Sequence, residues 1–121
     1  MTAPNLKNPS SIIGRTARYA VTASLATALA APGTGKTYKI NSIFCANTDT
    51  ANAGTPVDIS VSIYDGSTDR YIAYTISVPA DATQILSTKE TYFYLEEADS
   101  IRAVASIASR LELVIGYEDI S

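Results

Sequence analysis

Residues 33–37 read GTGKT, and Gly35, Lys36 and Thr37 match the end of the phosphate-binding loop GxxxxGK[ST]. In that loop backbone N–H groups cradle phosphates, the lysine reaches the β/γ oxygens and the hydroxyl holds Mg²⁺. The position five before Gly35 is Ala30, so the leading glycine is missing. Context argues further against the motif, because such a loop follows a buried strand and opens a helix whose N-terminus faces the phosphates. The residues after it, KTYKINSIFCAN, are rich in β-branched and aromatic types. They alternate Tyr38, Ile40, Ser42 and Phe44 against Lys39, Asn41, Ile43 and Cys45, the pattern of a strand. The preceding ATALAAP holds too little Val, Ile or Phe for a buried parallel strand. GTGKT is therefore expected to be a turn, with Gly33 and Gly35 supplying positive φ and Lys36 starting a strand. Glu96 and Glu97, which mimic the acidic partner of a nucleotide site, are expected to end a short strand in an acidic turn.

Other catalytic chemistry is equally poorly served. Histidine is absent from the chain, which removes the commonest general base, the usual Ser or Cys triads and most zinc sites. The close carboxylates are Glu96 and Glu97 with Asp99 nearby, and neighbours on an extended segment point to opposite faces, a poor arrangement for glycoside hydrolysis. Asp65, Asp69 or the Glu96/Glu97/Asp99 turn could offer oxygens to calcium, but no DxDxDG spacing appears and solvated turn acids are the expectation. The chain is expected not to be an enzyme and to carry no metal and no cofactor. The single cysteine, Cys45, cannot form an internal disulfide and is expected to be a buried thiol.

The elements that must position these residues are set by the wider composition. At 121 residues the chain makes one domain that buries roughly two-thirds of its unfolded surface and needs no disulfide or metal to fold. Charged residues are 17 % of it against roughly 25 % in ordinary domains, as expected of a protein that hides surface against neighbours. A net charge of −3 with nine scattered basic residues gives no footprint for nucleic acid. The N-terminus lacks a charged start followed by an apolar core, so no secretion signal is expected. No window approaches 18 uninterrupted apolar residues, so no membrane partner is expected.

Beyond an irregular arm through Gly14, with Pro4 and Pro9, apolar residues recur with period two. RTARYAVTASLATALA is expected to form one or two extended segments, since its threonines and lack of caps disfavour a helix. PVDISVSIYD places Val57, Ile59, Val61 and Ile63 on one face and Asp58, Ser60, Ser62 and Tyr64 on the other, one face core and the other wet or at an interface. DGSTD turns the chain into RYIAYTISV, where Ile72, Tyr74, Ile76 and Val78 alternate with Tyr71, Ala73, Thr75 and Ser77. TQILST, TYFYLEE and SIRAVAS follow as shorter strands. RLELVIGYEDI closes the chain with Leu111, Leu113, Ile115 and Tyr117 opposing Glu112, Val114, Gly116 and Glu118. About eight strands at this spacing make a sandwich or barrel.

Eight tyrosines and no tryptophan are present. Tyr64, Tyr71 and Tyr74 lie around one hairpin, and Tyr92 and Tyr94 alternate on another strand. Such rings fill a sheet face, or form a contact surface for a protein or a sugar. The arm adds Ile12 and Ile13, apolar residues placed to dock on a neighbour. The candidate interface residues are thus Ile12, Ile13, Tyr64, Tyr71, Tyr92 and Tyr94.

The runs GKTYKINSIFCAN, DISVSIYDGSTDRYIAYTISVPADAT, YLEEADSIRAVAS and LELVIGYEDIS resemble a family of small virion structural proteins of tailed bacteriophages, of the cyanophage and marine phage type. The resemblance runs from about Thr2 onward and is one of strand phrasing, so it transfers no functional residues. It implies an all-β fold: a single antiparallel β-sandwich, jelly-roll-like, over residues 15–121, with the arm at 1–14. It implies assembly in the host bacterial cytoplasm and localisation in the virion. The role it implies is a head decoration (cement) protein on the major capsid protein lattice, commonly a homo-oligomer such as a trimer. The alternatives are a neck, tail or fibre-attachment component partnered by other virion proteins, and a receptor- or carbohydrate-binding module.

Overall fold

The computed structural model describes residues 3–121, and among them the chain forms nine strands and one 3-10 turn. The strands are β1 (Ile12–Ala20), β2 (Ala26–Leu29), β3 (Thr37–Asn47), β4 (Val57–Tyr64), β5 (Asp69–Val78), β6 (Thr83–Ser87), β7 (Phe93–Leu95), β8 (Ser100–Ala105) and β9 (Leu111–Ile120). The turn, Lys89–Thr91, separates β6 from β7. One antiparallel sheet runs β1-β9-β3-β6, with β7 also on β3; the other runs β2-β8-β4-β5. Both β6 and β7 pair with β3, at Ile43–Ala46 and at Tyr38–Ile40 respectively, so they are one strand interrupted by the turn. Counted so, the eight strands follow the order 1-8-3-6 in the first sheet and 2-7-4-5 in the second, the double Greek key of a jelly roll.

The segment RTARYAVTASLATALA becomes two strands in different sheets. At the corner between them Val21, 1 % exposed, donates its N–H to the Leu111 carbonyl, and the Thr22 carbonyl accepts from Ala105 N–H. Bonds to both sheets at adjacent residues hold this stretch extended despite its alanines, a case of tertiary pairing overriding local propensity. The core between the sheets comes from Ile40, Ile43, Leu113 and Ile115 on one side and Val57, Ile59, Val61 and Ile101 on the other, all fully buried. Burying each such side chain contributes about 1.5–3 kcal/mol before entropy is counted.

Bulges in β3 and β5 change which residues face that core. In β3 the pairing passes from Ile40↔Tyr117 to Ser42↔Gly116, so Asn41 is an extra residue and the alternation flips there. Ile40 is on the core side with Ile43 and Cys45, while Phe44 turns outward, not the single face expected for Tyr38, Ile40, Ser42 and Phe44. The partner strand accommodates the bulge with a glycine: a Cβ at Gly116 would lie 2.9 Å from Ser42 Oγ. In β5 the pairing passes from Ile59↔Ile76 to Val61↔Ala73 and then to Ser62↔Tyr71. Ala73 is thereby buried and Tyr74 is 64 % exposed, again against simple alternation. Thr75 sits at this bulge with φ +49°.

The chain preceding β1 is tied to the other terminus. Ser10 and Ser11 N–H groups donate to the Ser121 carbonyl at 2.7 and 3.1 Å, and Ser121 N–H donates back to Ser11. Ile12 and Ile13 are the first two rungs of β1, opposite Ile120 and Asp119. Met1 and Thr2 of the expected arm lie outside the described residues.

Candidate functional site

The GTGKT stretch forms a turn that leads straight into β3. Gly35 takes a positive φ of +75°. Gly33 does not, and its carbonyl accepts from Lys36 N–H at 3.0 Å. The Gly35 N–H, which would face a phosphate in a nucleotide site, donates to Glu97 Oε1 at 2.8 Å. Lys36 Nζ lies 3.7 Å from Asp119 Oδ2, and Arg15 Nε binds the same oxygen at 3.0 Å. Amide and lysine are thus both engaged by carboxylates of this chain, and Glu96 lines the same small cleft as Lys36 and Thr37. Lys36→Ala should leave Mg-nucleotide binding undetectable, as in the parent. Glu97→Gln should lower stability by about 1–2 kcal/mol, through loss of a charge-assisted bond. Titration calorimetry and thermal melting check the pair.

Asp65 and Asp69 serve a turn and an ion pair. Asp65 Oδ1 accepts from Ser67 and Thr68 N–H, and these backbone bonds lower its carboxyl pKa. Asp69 accepts from Ser62 Oγ at 2.7 Å and lies 3.3 Å from Arg102 Nε. Among the described residues no group of three or more His, Cys, Asp or Glu side chains is placed to hold a metal ion. Cys45 is buried, and burial pushes its thiol up to about 11. Because the thiolate is the reactive form, alkylation of the folded protein at pH 8 should run at least about a hundredfold slower than in denaturant; equal rates, read by mass spectrometry, would contradict this burial.

The six candidate interface residues fall on opposite sides of the molecule. Tyr92 and Tyr94 meet edge to face at 5.8 Å beside β3, with Lys39 Nζ 4.4 Å from the Tyr92 ring centre and 3.9 Å from Glu118. Ile12 and Ile13 are 55 % and 46 % exposed at the start of β1. Tyr64 and Tyr71 belong to the other sheet, where Arg102 lies over the Tyr64 ring at 4.2 Å and Tyr71 meets Tyr74 edge to face at 4.9 Å.

The sequence reading missed an apolar row on the first sheet. Register puts Val114 opposite Phe44 and Phe44 opposite Ile85, a line across β9, β3 and β6 on the face away from the core. All three are exposed, by 38 %, 37 % and 52 %. The near-continuous apolar run SIFC hides the outward member, because the bulge at Asn41 decides its phase. Near one end of this sheet Ala3, Pro4 and Leu6 line an open cavity of about 470 Å³ with Thr37, Phe93, Tyr94 and Glu96.

Comparison with protein-family models gives no match, and neither does comparison with curated proteins. Solved structures do match. A chain of the acidic stable capsid of Helicobacter pylori bacteriophage KHP30 aligns with a TM-score of 0.57 at 12 % identity, over 94 % of this chain and 90 % of that one. A chain from Bacillus endospore appendages, described as disulfide-linked pili, aligns with a TM-score of 0.50 at 16 % identity over 92 % and 88 %. A chain of the cyanophage Pam1 capsid aligns over 99 % and 91 % at 15 % identity, with a TM-score of 0.42 that is too low to bear on the fold. At these identities the first two likenesses establish a shared fold across nearly the whole of both chains.

Proposed function

We propose that this chain is a structural protein of a bacteriophage virion, and within the particle a head decoration protein that binds and stabilises the major capsid protein lattice. The observation that carries the reading is the uncovered apolar row Val114–Phe44–Ile85 on a jelly roll whose fold a phage capsid chain shares over most of its length. Double-sheet jelly rolls recur in viral capsids, and exposed apolar side chains gathered in one place mark contact surfaces. The function is adhesion, which asks for no reacting group. Phe44 and its neighbours would seat against capsid subunits, with Ile12, Ile13, Tyr92 and Tyr94 widening the contact. Each copy needs only modest affinity, because an array of linked copies holds each one in place. The chain would be made in the host cytoplasm and act as a homo-oligomer, such as a trimer, set by the lattice symmetry.

Quantitative mass spectrometry of purified particles tests this by counting the chain against the major capsid protein. A ratio near one, or a simple lattice fraction of it, supports decoration. A handful to a few dozen copies would overturn decoration and place the chain at the neck, tail or fibres.

A further inference from the structure

We infer that the outer face of the β2-β8-β4-β5 sheet is a saccharide-binding site, built where β5 bulges beside β4. Its ligand class is a chain of neutral hexopyranose units. The inference is independent of the chain's position in a particle.

The bulged strand supplies the first reason. With simple alternation Tyr74 would share a face with Ile76 and Val78. Two register shifts between Tyr71 and Ile76 instead bring Tyr74 to the same side as Tyr71, with ring centres 4.9 Å apart. Holding this arrangement puts Thr75, a β-branched residue, at φ +49°, a conformation that costs on the order of 1–3 kcal/mol. Two bonds retain it: Thr75 N–H donates to Ser60 Oγ at 2.9 Å and Thr75 Oγ1 donates to the Tyr74 carbonyl at 2.8 Å. Bulges protect sheet edges and also re-aim side chains next to binding sites. Edge protection explains a bulge on β5, but it does not explain a strained threonine whose effect is to set two tyrosines side by side.

The surroundings supply the second reason. The two rings border an open cleft of about 260 Å³ whose other walls include Asp58, Ser60, Val104 and Ser106. Small side chains leave a shallow trough, and the rings stand above it, 44 % and 64 % exposed. Among the described residues the Asp58 side chain has no hydrogen-bond or ion-pair partner; only its backbone is engaged, with Ser106. The site therefore combines aromatic faces for the C–H side of a sugar ring with a free carboxylate and hydroxyls for its O–H groups. A purely apolar partner would leave Asp58 buried and unpaired, which is unfavourable, and an anionic one would be repelled by it.

Titration of the full chain with gluco-, manno-, galacto- and N-acetylglucosamine hexasaccharides, followed by NMR shifts and tyrosine fluorescence, tests the site. At least one should bind with a Kd of about 1 mM or tighter. Tyr74→Ala should weaken that binding at least about tenfold, as loss of an aromatic anchor does. Asp58→Asn should weaken it severalfold with an unchanged melting temperature, which keeps the test valid if Tyr74→Ala disturbs the bulge. Absence of binding to all four at 10 mM, or binding that both substitutions leave intact, would overturn the inference. So would capture of a virion protein through this face with no saccharide affinity.

Discussion

Replacing Asn47 with alanine should lower the melting temperature by roughly 10 °C, a loss of about 3 kcal/mol in a domain of this size. Asn47 is 1 % exposed at the end of β3, and its side chain joins the two sheets and the loop that follows. Its Nδ2 donates to the Val78 carbonyl at the end of β5 and to the Thr55 carbonyl, while Oδ1 accepts from Asp49 N–H. Asp49 in turn accepts from Ala53 and Gly54 N–H, so this side chain orders the loop between β3 and β4 together with the bonds of Thr48 and Thr50 to Arg110 and Ser109. Alanine would strand buried backbone groups at about 1–3 kcal/mol each. Asn47→Asp, which keeps the acceptor but sets a buried carboxylate against the Val78 and Thr55 carbonyls, should be at least as destabilising. A shift below about 3 °C for Asn47→Ala by circular dichroism would mean that water satisfies these groups.

Phe44→Asp should leave the melting temperature within about 2 °C of the parent and weaken attachment to particles by about 30-fold or more. The fold should tolerate it because Phe44 points outward and is 37 % exposed, where substitutions usually change stability little. Attachment should suffer because truncating a central aromatic anchor removes about 2 kcal/mol or more, and a carboxylate set against an apolar partner adds desolvation. Ile85→Ser, in the same row, should give a smaller loss in the same direction. Retention is read by sedimenting particles with added protein and measuring what remains bound. Unchanged retention of Phe44→Asp would remove the first sheet from the adhesive surface.

The all-β character, the strand segments, the turn at GTGKT and the lack of histidine chemistry are determined by the sequence itself. They depend on local quantities: period-two alternation, turn residues between runs, and the types of side chain present. Val57, Ile59 and Val61 face the core as their alternation predicts, and Leu111, Leu113 and Ile115 do the same. Only the tertiary structure decided which way Phe44 and Tyr74 point, because an extra residue at Asn41 in β3 and two register shifts between Tyr71 and Ile76 in β5 reset the phase of those strands. An extra residue in a strand is defined by the partner across the ladder, and no local window contains that partner. The same holds for the GTGKT turn: its conformation is local, but the carboxylate that fills its amide comes from Glu97, 62 residues away. Sheet order, and with it the division of the tyrosines between two opposite faces, likewise follows from long-range pairing that alternation alone does not encode.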